Sequence, residues 1–176
     1  MIYTELEKKL IEYTNDSENP ETNFFLAVEY DKLNQTASAF SLYLRCAERT
    51  TDKNLQYECL IRAGLCFRRQ GDRLYSEKSC WQNAIYVMPE RPEAYFFMSE
   101  FFQTQAQDNT ALIFLCTAEN MAKNESSFQN FRFPITEYYG GLFEIKIKRV
   151  LLTKKCAIEY FPDDLKYLSS LEIVRK

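Results

Sequence analysis

Apolar and small residues recur along this chain at three- and four-residue intervals, in blocks separated by single turn residues. That is the pattern of amphipathic helices paired into hairpins. In the first block Asn23, Leu26, Ala27 and Tyr30 precede Asn34, and Ala39 and Tyr43 follow it. In the second, Leu60, Ala63, Gly64 and Phe67 precede Gly71, and Glu77 and Trp81 follow, with Pro89 behind them. In the third, Tyr95, Met98, Ser99 and Phe102 precede Ala106, and Ala111 and Leu115 follow. Tyr43 to Trp81 is 38 residues and Trp81 to Leu115 is 34, so the blocks run in phase. Two helices approach closely only where a side chain is small. Ala27, Gly64 and Ser99 supply that on the first helices, and Ala39 and Ala111 on the second. Tyr30, Phe67 and Phe102 are expected to fill the gap between neighbouring hairpins.

Local signals agree. Asn19-Pro20-Glu21 offers a cap, a proline in the first turn and an early acid, and Arg91-Pro92-Glu93 repeats the proline-acid opening. Asn34 and Gly71 fall where a left-handed residue closes the first helix of a hairpin, and Asp108-Asn109 sets up the next turn. Ahead of the blocks, Tyr3 to Tyr13 reads as one amphipathic helix with Leu6, Leu10 and Ile11 facing inward. Behind them, residues 124–133 read as a loop pinned by Phe128, Phe131 and Phe133. Pro134 is expected to start a helix carrying Tyr138, Gly141, Leu142 and Ile145, with Cys156 to Phe161 as its short partner and a final helix from Pro162 to about Ile173.

The order of residues resembles the tetratricopeptide repeat, whose period is 34 residues and whose signature is W-x2-L-G-x2-Y, then A-x3-F, then P. The chain departs from it in lacking the leading Trp in every block, in keeping one of the prolines, and in placing Glu77 where Ala is expected. The resemblance implies an all-α, right-handed solenoid of antiparallel hairpins, about eight or nine helices and no sheet. The expected layout is a single domain over 1–176: a helix and link at 1–18, repeats at 20–53, 57–90 and 92–123, a loop at 124–133, and a degenerate fourth unit with a cap at 134–176. A nearer likeness lies in Asn19-Pro20-Glu21, the run Tyr43 to Thr50, Tyr57-Glu58-Cys59-Leu60 and the run Arg91 to Phe96. These phrases look like the repeat region attached to some family-2-type glycosyltransferases, over roughly residues 14–160. That family keeps its catalysis in a separate α/β domain with a metal-binding Asp-x-Asp, which nothing here resembles. Asp163-Asp164 after Pro162 reads more simply as acids at a helix start.

Composition narrows the chemistry. There is no histidine in 176 residues, so no imidazole relay, no imidazole acid or base and no His zinc ligand is available. The six cysteines at 46, 59, 66, 80, 116 and 156 show no C-x2-C spacing and read as small buried side chains in a reducing compartment. The formal charge is −3, so no global attraction to nucleic acid arises, and no apolar stretch approaches the ~20 residues of a membrane span. The opening residues hold no secretory apolar core, and a cytoplasmic protein is expected. No catalytic residue, cofactor or metal is expected.

Binding is therefore the function to look for. In tetratricopeptide domains, fixed positions of each first helix line a concave groove. Those positions here give an apolar floor of Phe24, Ile61, Leu65 and Phe96 beside a cationic rim of Lys32, Arg68 and Arg69, with Val28 on the first repeat and Glu100 and Gln103 on the first helix of the third repeat as further lining positions. Such a surface suits a peptide or protein segment carrying aromatic and acidic residues. The competing arrangement packs the N-terminal helix over these positions and closes the groove. The chaperone-docking subfamily is unfavoured, because the Lys and Asn that clamp a terminal carboxylate are replaced by Phe24 and Val28.

A second candidate is the basic cluster Lys146, Lys148, Arg149, Lys154 and Lys155, in a segment from Gly141 to Lys176 with a net charge of +3. It could meet phosphates, an acidic partner or a membrane surface, or be an ordinary solvated helix face. Phe101-Phe102 and Tyr138-Tyr139 could be stacking platforms or core. The sequence thus points to a non-enzymatic interaction scaffold. A segment serving a glycosyltransferase catalytic domain and a small-ligand or glycan-binding protein stand as the alternatives.

Overall fold

A computed structural model describes residues 4–123, 131–135 and 138–160. Every regular element among them is an α-helix: α1 (Glu5–Asn15), α2 (Pro20–Lys32), α3 (Thr36–Arg49), α4 (Lys53–Gln70), α5 (Leu74–Val87), α6 (Pro92–Thr104), α7 (Asp108–Ala122) and α8 (Gly141–Tyr160). The described residues fall into two compact units. One holds α1 to α5 together with residues 131–133, and the other holds α6, α7 and α8.

The helix starts follow from capping chemistry. Thr4 and Glu7 form a reciprocal capping box on α1, Asn19 Oδ1 accepts from the Glu21 amide at 2.9 Å, and Asp52 Oδ1 accepts from the Asn54 amide at 2.9 Å. The Asp52 cap sets α4 at Lys53, one turn ahead of the Tyr57 start expected from the repeat. The hairpin turns use left-handed backbone at Asn34 (φ 56°), Gly71 (φ 80°) and Ala106 (φ 54°).

In the first unit α1 packs on α2, and α2 to α5 pack each on the next. Ala27 and Ala39 are fully buried, as close packing requires, and Gly64 lies directly beneath the indole of Trp81. The Phe40 and Phe67 rings meet at 4.4 Å and join α3 to α4. Glu77, the residue that breaks the repeat pattern, is buried but answered: Arg68 Nε donates to its carboxylate at 3.0 Å. Ile11 does not face inward. It is 45% exposed, and α1 turns Leu6, Lys9, Leu10 and Tyr13 toward the protein instead, with the Lys9 ammonium over the Phe25 ring.

In the second unit α6 packs on α7 and α7 on α8. Phe96, Phe97, Ala111, Leu115, Ala118 and Ile145 are fully buried. The Phe102 ring stacks on Phe114 at 5.3 Å within its own hairpin. The expected fourth unit differs. The helix begins at Gly141, not Pro134, and runs unbroken to Tyr160, so Cys156 does not open a second short helix. No Gly, Pro or Asn interrupts residues 142–160, and Ile145, Leu152 and Cys156 bury one continuous stripe. The expected helix from Pro162 to Ile173 lies outside the described residues.

Candidate peptide-binding face

The first-helix positions of the first unit form one face, built by α2 and α4. Phe24 and Ile61 are fully buried, and Val28 and Leu65 nearly so. Phe131, Arg132 and Phe133 cover this face, and the N-terminal helix reaches its Phe25 edge through Lys9. The Phe133 ring sits 6.0 Å from Phe24 and 6.4 Å from Phe25, the latter edge-on. The Phe131 ring stacks on Tyr57 at 6.0 Å with 14° between planes. The Arg132 guanidinium lies 5.6 Å over Phe24, pairs with Glu21 and comes within 3.6 Å of Asp52. Hydrogen bonding to Glu21 is the main cause that raises the Arg132 pKa.

The main chain of this segment is held as well. The Arg132 amide donates to Glu58 Oε2 at 2.8 Å and the Phe133 amide to Glu58 Oε1 at 3.3 Å. Arg62, one turn along α4, donates from Nε to Glu58 Oε1 at 2.9 Å and from its terminal nitrogen to the Phe133 carbonyl. Glu58 and Arg62 are both buried, yet each is satisfied by its partner and by the backbone of 131–133. A pair spaced i to i+4 on α4 thus acts as a backbone clamp, its carboxylate reading amides and its guanidinium a carbonyl.

The expected cationic rim is engaged locally. Arg68 pairs with Glu77 and lies 4.5 Å over the Trp81 ring. Arg69 pairs with Asp31 and approaches Cys66 Sγ at 3.2 Å. Burial works against the Arg69 charge, but the Asp31 carboxylate outweighs it and raises the pKa. Lys32 is exposed, pairs with Glu29 at 2.5 Å and reaches over Phe133 at 5.8 Å. Burial pushes the Cys66 thiol up to about 11 and the Cys80 thiol up to about 12, so these sulfurs are protonated packing groups.

In the second unit, Phe96 lies beneath the Tyr139 ring at 5.3 Å and the Lys148 ammonium at 4.4 Å. Glu100 pairs with Lys148, and Gln103 is half-buried. The basic cluster is divided the same way: Lys148 pairs with Glu100 and Glu144, Arg149 with Glu119, and Lys155 with Asp108 at 2.5 Å, while Lys146 is exposed and Lys154 half-buried. Phe101, Phe102 and Tyr139 are interior rings, and Tyr138 is the exposed member of its pair. On the far side of α4, an open hollow of about 670 Å³ is lined by Leu44, Glu48, Gln56 and Tyr86 among others. No group of three or more Cys, Asp or Glu among the described residues could hold a metal ion, and no described helix is long and apolar enough to cross a membrane.

Reading the sequence did not find Glu58 and Arg62 as a clamp, nor 131–133 as the occupant. The available signal was an i, i+4 acid-base pair inside an otherwise buried run from Tyr57 to Phe67, and aromatics alternating with a base in a loop.

No protein-family model matches the chain, and no curated protein matches it. Solved structures do. A crystal structure of MamA superposes with a TM-score of 0.63 at 13% identity, covering 70% of this chain and 70% of that one. A second MamA structure gives 0.60 at 13% identity over 73% and 68%. A thermophilic TPR protein from Thermus thermophilus gives 0.54 at 19% identity and covers 96% of this chain and 89% of its own. At such identities the likeness speaks to the fold alone, and with helix hairpins in tetratricopeptide register it establishes that the chain has a tetratricopeptide-like all-α fold.

Proposed function

We propose that the protein is a non-enzymatic interaction module whose α2–α4 face receives a short segment of a protein or peptide partner. The observation that supports this is the seating of residues 131–133 on that face. Rings rest on Phe24, Phe25 and Tyr57, and Glu58 and Arg62 take both backbone polarities. Backbone recognition supplies affinity without regard to sequence, and the ring seats and the flanking acids supply selectivity. Phe24 and Ile61 act as the buried floor. Arg68 and Arg69 orient the face indirectly, by fixing α5 through Glu77 and α2 through Asp31.

The test is site-specific photo-crosslinking in host cells. A crosslinker at Lys32, at the edge of the face, should trap a partner that one at Tyr75, 91% exposed on α5, does not. Equal trapping at both positions refutes the assignment. The phrases that resemble glycosyltransferase-attached repeats support a second reading, in which that partner is a nucleotide-sugar enzyme. Mass spectrometry of the crosslinked product decides it. Six free thiols, five of them buried, support a reducing compartment such as the cytoplasm.

A further inference from the structure

We infer that the α2–α4 face selects an aromatic-basic-aromatic segment, and that the chain's own Phe131-Arg132-Phe133 holds the place of that partner until it is displaced. This rests on the functional reading above and adds the chemistry of the ligand. Three features of the face define it. Two ring seats, Tyr57 for one aromatic and Phe24 with Phe25 for the other, lie on either side of the backbone clamp. Between them the central residue meets Glu21 and Asp52 over the Phe24 ring, a setting that rewards a guanidinium and repels a carboxylate. The clamp itself demands a bent backbone at its centre, because successive amides, which an extended strand would point to opposite sides, reach the two oxygens of one carboxylate.

The occupant is suited to displacement. Phe131 and Phe133 are only half-buried and Arg132 is exposed, so the rings rest on the face instead of being enclosed by it. An incoming segment of the same kind can replace each contact with its equal. Being part of the same chain, the internal segment competes at an effective concentration on the order of millimolar. It therefore sets a threshold that admits a matching partner and excludes weaker ones.

The experiment uses a fluorescein-labelled peptide, Gln-Asn-Phe-Arg-Phe-Pro-Ile, and fluorescence anisotropy with the full chain. The Phe131→Ala/Phe133→Ala variant vacates the seats and should bind the peptide at least tenfold more tightly than the wild type. A peptide with Glu in place of Arg should lose at least tenfold, and the Glu21→Lys variant should recover part of that loss. Arg132→Glu in the chain leaves both rings in place while setting an acid against Glu21 and Asp52, and it should also tighten binding of the unaltered peptide. It serves if the double alanine variant does not fold. Folded variants that show no saturable binding, or bind a scrambled peptide equally, overturn the inference. If crosslinking at Lys32 still traps a partner in that case, the functional reading stands and the ligand chemistry is wrong. If that position is also silent, both fail.

Discussion

Gly64→Ala tests the packing between the two helices of the second hairpin. A methyl group built at Gly64 would come within 2.9 Å of two indole carbons of Trp81, where ordinary contact begins near 3.4 Å. Its closest neighbour, the indole nitrogen, is nearer still, so the ring must retreat by more than half an ångström. It has little room to do so. Trp81 is fully buried, and Arg68 lies 4.5 Å over its ring while tied to Glu77. Overpacking of this kind costs about 1–3 kcal/mol, and fixed surroundings put this site at the upper end. Replacing Gly by Ala inside a helix returns about 1 kcal/mol of propensity. The net expectation is a loss of about 2 kcal/mol, or roughly 4–8 °C in melting temperature for a chain of this size. Trp81 is the only tryptophan, so its fluorescence during urea unfolding reports the transition directly. Trp81→Phe in the Gly64→Ala background should recover part of the loss by giving the methyl space, a coupling of about 1 kcal/mol in the double-mutant cycle. A Gly64→Ala protein as stable as the wild type would refute the close-packing argument.

Other outcomes follow from the same geometry. Ala106→Gly should stabilise by about 0.5 kcal/mol in thermal melts, because φ 54° strains an alanine and not a glycine. In a thiol-reagent titration at pH 8, Cys116 should react quickly and the other five cysteines only on unfolding, since they are buried. The raised pKa of Cys66 (about 11) and Cys80 (about 12) means that the folded state holds protons the unfolded state releases above about 9. Stability should therefore be flat below that value and fall between about pH 9 and 12, as urea midpoints across that range would show. Arg68→Glu/Arg69→Glu breaks the pairs with Glu77 and Asp31 and should cost about 2 kcal/mol, after allowance for partial exposure. An unchanged urea midpoint would mean that those pairs carry no weight.

What is legible in the sequence is local. Asn34, Gly71, the Asn19-Pro20 start and the small residues at 27, 39 and 64 each act within a turn or one helix contact, and the structure uses them as the pattern implies. At the C-terminal end a proline at 134 signals a helix start, but the uninterrupted run after Gly141 decides where the helix lies. Ile11 is misleading because it lies about 100° around the helix from Leu10, off the stripe of Leu6, Leu10 and Tyr13 that α1 turns inward with Lys9 on Phe25 and Tyr13 at Arg45. Glu77 visibly breaks the pattern, but nothing local shows that Arg68, nine residues earlier on another helix, answers it. The occupied face is least visible of all. Its defining contacts join Glu58 to residues 74 and 75 positions away, and Glu21 to one 111 positions away, and no local pattern encodes such pairings.

Those same separations have a consequence for the order of events on the ribosome. Helices α1 to α5 are complete by Val87, some forty residues before Phe131 is synthesised. At about 5–20 residues per second, the α2–α4 face is present without its cover for roughly 2–8 s of every round of translation. The contacts of residues 131–133 with this face also close loops of 74 to 111 residues, and their entropic cost makes them late steps of folding. During that interval the Glu58–Arg62 clamp lacks the backbone amides and carbonyl that later answer it, and it faces water instead. The α2–α4 face is thus made open and is covered only once synthesis has passed residue 133.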